Sequence, residues 1–467
     1  MDGRRRAVAG ASAHQPAQAA RSSPVVFPPG PPQSFRTLFV YGPGRDPLGF
    51  FSNLATYGDL AHARVAREHL YYVGDPQIIR DIFVTNQHRF MKGRGLERAK
   101  RFLGEGLLTS EGQMHVRQRR LMQPAFHRER IASYANVMTG HAERMRNRWT
   151  DGSTIDVAQD MMRLTLGIVG KTLFDADVES QAPEVGEALT AVMASFWITM
   201  LPFADLIEKV PIPALRRSRR ARARLDAIVY GMIAERRRSQ RDRGDLLSML
   251  LMAQDEEAGG GMTDLQVRDE AMTIFLAGHE TTANALSWTW YLLSQSPEVE
   301  AKFHREIDRV LSRRLPTFAD LPSLPYVEKV VTEAMRLYPP AWALGRRALE
   351  DYQVGEYLIP ARSIIVTSPY LVQHDPRYFA NPDRFDPDRW TPEFKAALPQ
   401  FAYFPFGGGA RRCIGESFAW MELVLVAATI GQQWRLSLVP GHPVVPQPVI
   451  TLRLKHGLRM SVQRRAL

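Results

Sequence analysis

Three short stretches of this chain carry residue types whose spacing could support chemistry. Cys413 is the single cysteine among 467 residues, and it follows Phe404-Pro405-Phe406-Gly407-Gly408-Gly409-Ala410-Arg411-Arg412 directly ahead of an apolar run with helical spacing. One thiol can form no internal disulfide, no multi-cysteine zinc site and no protein-held iron–sulfur cluster, each of which needs several sulfurs. It is either a buried inert thiol or a lone metal ligand. Glycines at 407, 408 and 409 let a flat ligand approach the backbone closely. A helix expected to start near Ile414 would turn its free N–H groups toward the sulfur, and Arg411 and Arg412 add positive charge, so the thiol is expected to ionise easily. Glu333 and Arg336 are spaced to share one helix face and form an ion pair. In Ala277-Gly278-His279-Glu280-Thr281-Thr282, paired threonines after a glycine are poor choices for a helix interior. The Thr281 hydroxyl is expected to bond the Ala277 carbonyl, distort the helix and open a groove.

The elements that must position these residues are legible in outline. Asp264 to Ser296 is the longest helical candidate, with Thr263 as its cap and Pro297 as its stop. A second helix is expected from Tyr326 to Leu337, ended by Pro339-Pro340. Ala63–Arg67 and His69–Val73 suit a small sheet, as do Tyr352–Thr367 and Val449–Val462, with a Pro- and Asp-rich loop from Asp375 to Trp390. The fold class is mainly α with small β-sheets, in one large domain over residues 35–467. Residues 1–34 are rich in Ala, Ser, Pro and Arg and are expected to form a disordered leader, compatible with a transit peptide or a bacterial tail. No transmembrane anchor is read, and the chain is expected to be soluble and cytoplasmic. The excess of 60 basic over 49 acidic residues could suit nucleic acid, a membrane surface or an acidic partner. Much of it lies between Arg216 and Arg243, which reads as a solvated helix face rather than a nucleic-acid site because stacking aromatics are missing.

Phe406-x-x-Gly409-x-Arg411-x-Cys413-x-Gly415 resembles the haem-binding loop of the cytochromes P450. Glu333-x-x-Arg336 is similar to the helical motif upstream of that loop, whose third member is an arginine before an aromatic residue. Two candidates stand in tandem, Arg384-Phe385 and Arg389-Trp390, and Arg389 is assigned from the spacing of Phe385 and Trp390. Ala277 to Thr282 resembles the family's oxygen-binding motif. Gly112 to His127 resembles the helix in which many bacterial members carry histidine where this chain has His115. The resemblance runs from about residue 36 to the end, with the motifs in family order.

The resemblance implies the cytochrome P450 fold and haem b (iron protoporphyrin IX) held by Cys413 as axial thiolate ligand of the iron. It implies Phe406 beside the haem, Gly409 in close approach, and Arg411, His115, Arg119 and Arg346 at the propionates. Thr281 would hold dioxygen and water while Glu280 relays protons. The implied reaction inserts one atom of O2 into a lipophilic substrate such as a fatty acid, terpenoid or steroid-like molecule, with a lean toward the fatty-acid branch. Phe275, Ala277, Ala341, Trp342 and Leu344 would line the pocket, with the segments around Phe196 and Trp197 and from Met91 to Leu108. Lys92, Arg94 and Arg98 could engage a substrate carboxylate there, though solvent-facing charge is the reading preferred. Electrons are expected from a separate ferredoxin or flavodoxin with its reductase, docking at a basic surface that includes Arg117 and Arg120. A peroxide-using or hydroperoxide-rearranging haem-thiolate enzyme, or a haem sensor without turnover, are the alternatives; the Glu280-Thr281 pair speaks against them.

Overall fold

The computed structural model describes residues 26–32, 46–65, 67–176, 185–186, 188, 212–252 and 261–466. Its helices of seven or more residues are α1 (Pro47–Ala55), α2 (Arg94–Leu103), α3 (Gly112–Met122), α4 (Arg128–Arg146), α5 (Val157–Phe174), α6 (Pro213–Ser239), α7 (Leu246–Met252), α8 (Asp264–Ser294), α9 (Pro297–Leu311), α10 (Pro325–Leu337) and α11 (Glu416–Gly431). Strands β1 (Leu60–Val65), β2 (Glu68–Val73), β3 (Phe90–Lys92), β5 (Leu344–Ala348) and β8 (Ile364–Thr367) form one sheet in the order β1-β2-β8-β5-β3. Strand β4 (Thr154–Asp156) pairs with β12 (Arg459–Arg464), which pairs with β9 (Trp434–Leu438). Two hairpin-sized pairs remain, β6 (Tyr352–Val354) with β7 (Tyr357–Ile359), and β10 (Pro446–Pro448) with β11 (Leu452–Leu454). The mostly helical body with small sheets matches the class read from sequence.

Helix α8 is the axis of the molecule. Thr263 and Gln266 close a capping box at its start, the Gln266 N–H donating to Thr263 Oγ1 at 3.2 Å and the Thr263 N–H to Gln266 Oε1 at 2.9 Å. Pro297 opens the next helix and stops this one. Between these ends α8 packs on α5, α6, α10 and α11 and is buried along most of its length. Helix α11 is equally enclosed, with Leu423 to Gly431 all buried. Each fully buried Leu- or Phe-sized side chain contributes about 1.5–3 kcal/mol. At the end of α11 a Cβ on Gly431 would fall 2.6 Å from the Phe303 ring, so even alanine there would force α9 away.

Two expectations need correction here. The end of the supposed disordered leader is tied down: Phe27 stacks on His62 and His69, and the His62 N–H donates to the Pro29 carbonyl at 2.9 Å. The Leu358 N–H also donates to the Val26 carbonyl at 3.4 Å and Pro28 is buried, so several contacts anchor this segment, whereas residues 1–25 lie outside the described residues. The arginine-rich helix α6 is also not wholly solvated. Arg236 is buried, with Nη1 2.5 Å from Asp245 and Nη2 3.2 Å from the Phe174 carbonyl. Its place on the Leu225–Val229–Ile233 stripe carries it into the core.

Candidate active site

The cysteine loop is folded back on itself. The Cys413 N–H donates to the Phe406 carbonyl at 3.0 Å, and the Gly407 N–H to the Phe404 carbonyl at 2.9 Å. Gly409 has φ +65° and presses on the Phe83 carbonyl, which a Cβ would approach to 2.0 Å. No other residue type fits there. Phe406 packs on Trp420 of α11 with ring centroids 5.6 Å apart. The Cys413 side chain retains accessible surface, but protein packed around the sulfur dominates its ionisation. Burial pushes the thiol up to about 11, with Glu416 adding to it, against the Gly415 N–H, Arg119 and Arg412. This reverses the expected easy ionisation. Helix α11 begins only at Glu416, whose carboxylate sits at the positive dipole end and ion-pairs with Arg412 at 2.5 Å, while Arg411 is bound to Glu111. A metal cation at the sulfur would supply the missing charge, since a coordinated thiol is deprotonated outright.

Beneath this loop lies a closed charge network. Glu333 and Arg336 on α10 are both 0% exposed. Arg336 donates to Glu333 through Nη2 to Oε1 at 2.8 Å and Nε to Oε2 at 2.9 Å. Arg389 Nε reaches Oε1 at 3.0 Å and Trp390 Nε1 reaches Oε2 at 2.9 Å. Arg384 contributes only its carbonyl, which accepts from Arg336 at 3.2 Å. Sequence reasoning missed Gln373, whose amide donates to the Met335 and Arg336 carbonyls at 3.1 and 2.9 Å and whose oxygen accepts the Phe404 N–H at 3.2 Å. It joins the network to the start of the cysteine loop.

A second buried charge group has the opposite character. Lys92, His115 and Arg346 are buried, with Arg119 and Arg411 partly so, and the acids acting on the group are Glu111 and, beside Lys92, Glu270. Burial pulls Lys92 down to about 7, with Arg411 and Arg346 repelling it further. Burial lowers His115 to about 3, helped by Arg411, Lys92 and Arg119. Arg346 is lowered to about 10 by burial and Arg411, and its guanidinium lies 4.0 Å from the centroid of the Phe83 ring. A pocket of buried basic groups with few acids favours an anionic ligand, whose charge would hold these groups protonated. A flat macrocycle bearing two carboxylates, held by one sulfur, fits this residue set, as haem does. Lys92 was expected to face solvent; instead it lies opposite Arg346 across β3 and β5 and donates to the Leu107 carbonyl at 3.3 Å. Only strand register brings them together, and no sequence signal shows it. Arg94 pairs with Glu68.

Across from the loop, α8 presents Ala277 and Thr281. Ala277 is exposed and Thr281 half-buried on a helix otherwise mostly enclosed. The Thr281 hydroxyl donates to the Ala277 carbonyl at 2.7 Å, the bond read from the sequence. Glu280 is buried and committed elsewhere: it is bound by Arg453 Nε at 2.6 Å and by the Thr451 hydroxyl. His279 holds the Phe275 carbonyl through Nδ1 at 2.6 Å. Farther along α8, Glu270 Oε2 accepts the Leu107 N–H at 2.8 Å, and burial followed by Asp269 raises its carboxyl to about 8.

Of the expected pocket residues, Leu344 approaches the cysteine loop, with Cδ1 3.7 Å from where a Gly407 Cβ would stand, and Ala341 is half-buried. Phe275 is a correction. At about 100° per residue it lies on the face of α8 opposite Ala277, stacked on Phe174 with centroids 4.2 Å apart. Trp342 is another: its ring packs with Phe51 and its Nε1 donates to the Val449 carbonyl at 3.0 Å. Phe196 and Trp197 lie outside the described residues.

Among the described residues no helix is long and apolar enough to cross a membrane. The family model for Cytochrome P450 matches residues 28–457. The chain is 40% identical to cyclooctatin synthase of Streptomyces melanosporofaciens over 91% of this chain and 93% of that protein. It is 37% identical to pentalenene oxygenase of Streptomyces avermitilis over 90% and 94%. Among solved structures, the retinoic-acid-bound cyanobacterial CYP120A1 superposes with a TM-score of 0.84 at 25% identity, covering 94% of this chain and 100% of that one. The chain belongs to the cytochrome P450 family of haem-dependent monooxygenases.

Proposed function

We propose that this monooxygenase oxidises a terpenoid, at a position held between Ala277–Thr281 and the cysteine loop. The observation that carries this reading is the identity of 37–40% to proteins named for cyclooctatin, cyclooctat-9-en-7-ol and pentalenene, over at least 85% of this chain. It replaces the lean toward fatty acids. The approach to Thr281 agrees with it, since Ala277, Ala341 and Leu344 offer no charge for a carboxylate.

Haem b with a thiolate ligand supplies the binding and reductive activation of dioxygen. The protein's part is orientation and proton control. Cys413 would hold the iron through its sulfur, and Lys92, His115, Arg119, Arg346 and Arg411 would hold the propionates. Thr281 must turn its hydroxyl away from the Ala277 carbonyl to donate toward the reacting oxygen. Glu280 must leave Arg453 and Thr451 before it can pass a proton inward. A separate ferredoxin or flavodoxin provides electrons. The test is a spectral titration of the purified haem protein with pentalenene, related cyclic terpenes and fatty acids. The reading expects terpenes to displace water from the iron at lower concentration than fatty acids of equal size; the reverse order overturns it. Replacement of Cys413 by Ala should abolish the red-shifted carbon monoxide band of the reduced protein.

A further inference from the structure

Helix α6 opens against its own electrostatics. Six of the nine residues from 216 to 224 are arginines, and the first acid of the helix is Asp226. The positive end of the helix dipole disfavours this, and so do like charges four residues apart. The helix cannot turn the charges inward, because Leu215, Leu225, Val229 and Ile233 are buried and α6 packs along α8. Arg222 alone is drawn aside, to the Arg101 carbonyl and to within 3.9 Å of Asp226. Arg216, Arg217, Arg219, Arg220 and Arg224 are exposed. Among the described residues Arg216, Arg217 and Arg220 are ion-paired with no carboxylate. Arg216, Arg220 and Arg224 recur at every fourth position and form one row about 12 Å long, with Arg217 beside it.

A row of this length matches a surface carrying many separated anionic groups better than it matches one small anion. Two features favour lipid headgroups over nucleic acid. No aromatic residue stands between 213 and 229 to stack on a base. Residues 188–204, shortly before the helix in sequence, include Phe196, Trp197 and Phe203 and carry no charge, a composition that suits a lipid interface beside a basic face. We infer that the first three turns of α6 are a docking surface for an anionic lipid bilayer. Docking there would hold the enzyme at the phase into which lipophilic compounds partition, whichever of them it oxidises, so the inference stands apart from the terpenoid reading.

The experiment pellets the haem-loaded, full-length protein with vesicles of phosphatidylcholine, alone or mixed with phosphatidylglycerol. Binding is expected to the mixed vesicles, to be weak on phosphatidylcholine alone, and to be lost in about 1 M salt, where surface charges are screened within roughly 3 Å. Arg216→Gln, Arg217→Gln and Arg220→Gln combined should lower the partition coefficient on the order of a hundredfold, at about fivefold per arginine. The same three positions changed to Lys should keep the binding, since charge and not guanidinium geometry is what the bilayer reads. The Gln variant should melt no lower than wild type, because it relieves repulsion; a clear drop would make these arginines structural and overturn the inference. Arg305→Gln, Arg309→Gln and Arg313→Gln combined lower the net charge equally from exposed positions on and just after α9, and should leave the partition coefficient within about threefold of wild type. An equal loss in that control, no binding to the mixed vesicles, or equal binding to both kinds of vesicle overturns the proposal. A random-sequence DNA duplex at equal phosphate concentration should leave the protein on the vesicles, and displacement onto the DNA would make nucleic acid the partner instead.

Discussion

Two groups of buried charge lie on either side of the cysteine loop, and they are built on opposite principles. Around Glu333 the carboxylate is fully answered: two guanidiniums, an indole N–H and a backbone N–H converge on it, and backbone carbonyls take the remaining guanidinium N–H groups. Around Arg346 the charges are left over, and Lys92, His115 and Arg346 are each driven toward neutrality by burial and by one another. A satisfied network describes structure; an unsatisfied one describes what the protein expects to bind. Removing one partner should therefore have opposite consequences in the two places.

The largest effect is expected for Glu333→Ala, which strands Arg336 without a counter-charge and should cost about 3–5 kcal/mol. Thermal unfolding and soluble yield measure it, and a loss below about 1 kcal/mol would remove the contrast. Next, Arg346→Met should weaken haem retention roughly 10- to 100-fold, the worth of a charge-assisted hydrogen bond. The haem-free protein should become no less stable, since a repelling cation has gone. Haem transfer to an apo-acceptor and unfolding of the apoprotein test the two halves, and apoprotein destabilisation matching that at Glu333 would break the comparison. Glu270 offers a pH test beside the same cluster. Its carboxyl is held near 8 in the folded chain, against about 4.3 when unfolded. The folded state therefore binds the extra proton, so the contribution of Glu270 to stability is greatest below about pH 4.3 and is lost as pH rises toward 8. Glu270→Gln should flatten that decline in melting temperature, and an unchanged slope would count against the assignment. The smallest effect is expected at Arg384, whose side chain donates to nothing in the network. Arg384→Gln should stay within about 0.5 kcal/mol, while Arg389→Gln should be plainly worse.

What was legible in the sequence depended on local rules. Thr263 and Pro297 bounded α8 because capping chemistry and proline act on neighbouring residues. The Thr281–Ala277 bond followed from helical spacing, and the aromatic spacing around Arg389 pointed to the arginine that reaches Glu333. Lys92 and Gln373 were missed because each works across strands or loops far apart in the chain. Phe275 and Trp342 were misplaced because apolar residues near a pocket carry no mark saying which face they take. The thiol was misjudged for a different reason: the dipole argument was sound, but the helix starts later and opens with an acid.

Gln373 gives the cysteine loop a particular kind of permanence. Its side chain fastens the Phe404 amide to the end of α10, which the buried Glu333 already locks. The Phe404 amide should exchange with solvent only through whole-molecule unfolding, placing the loop's first residues in the slowest cooperative unit of the chain. Loading and loss of the prosthetic group must then proceed by breathing elsewhere, with the sulfur's anchorage as the fixed wall.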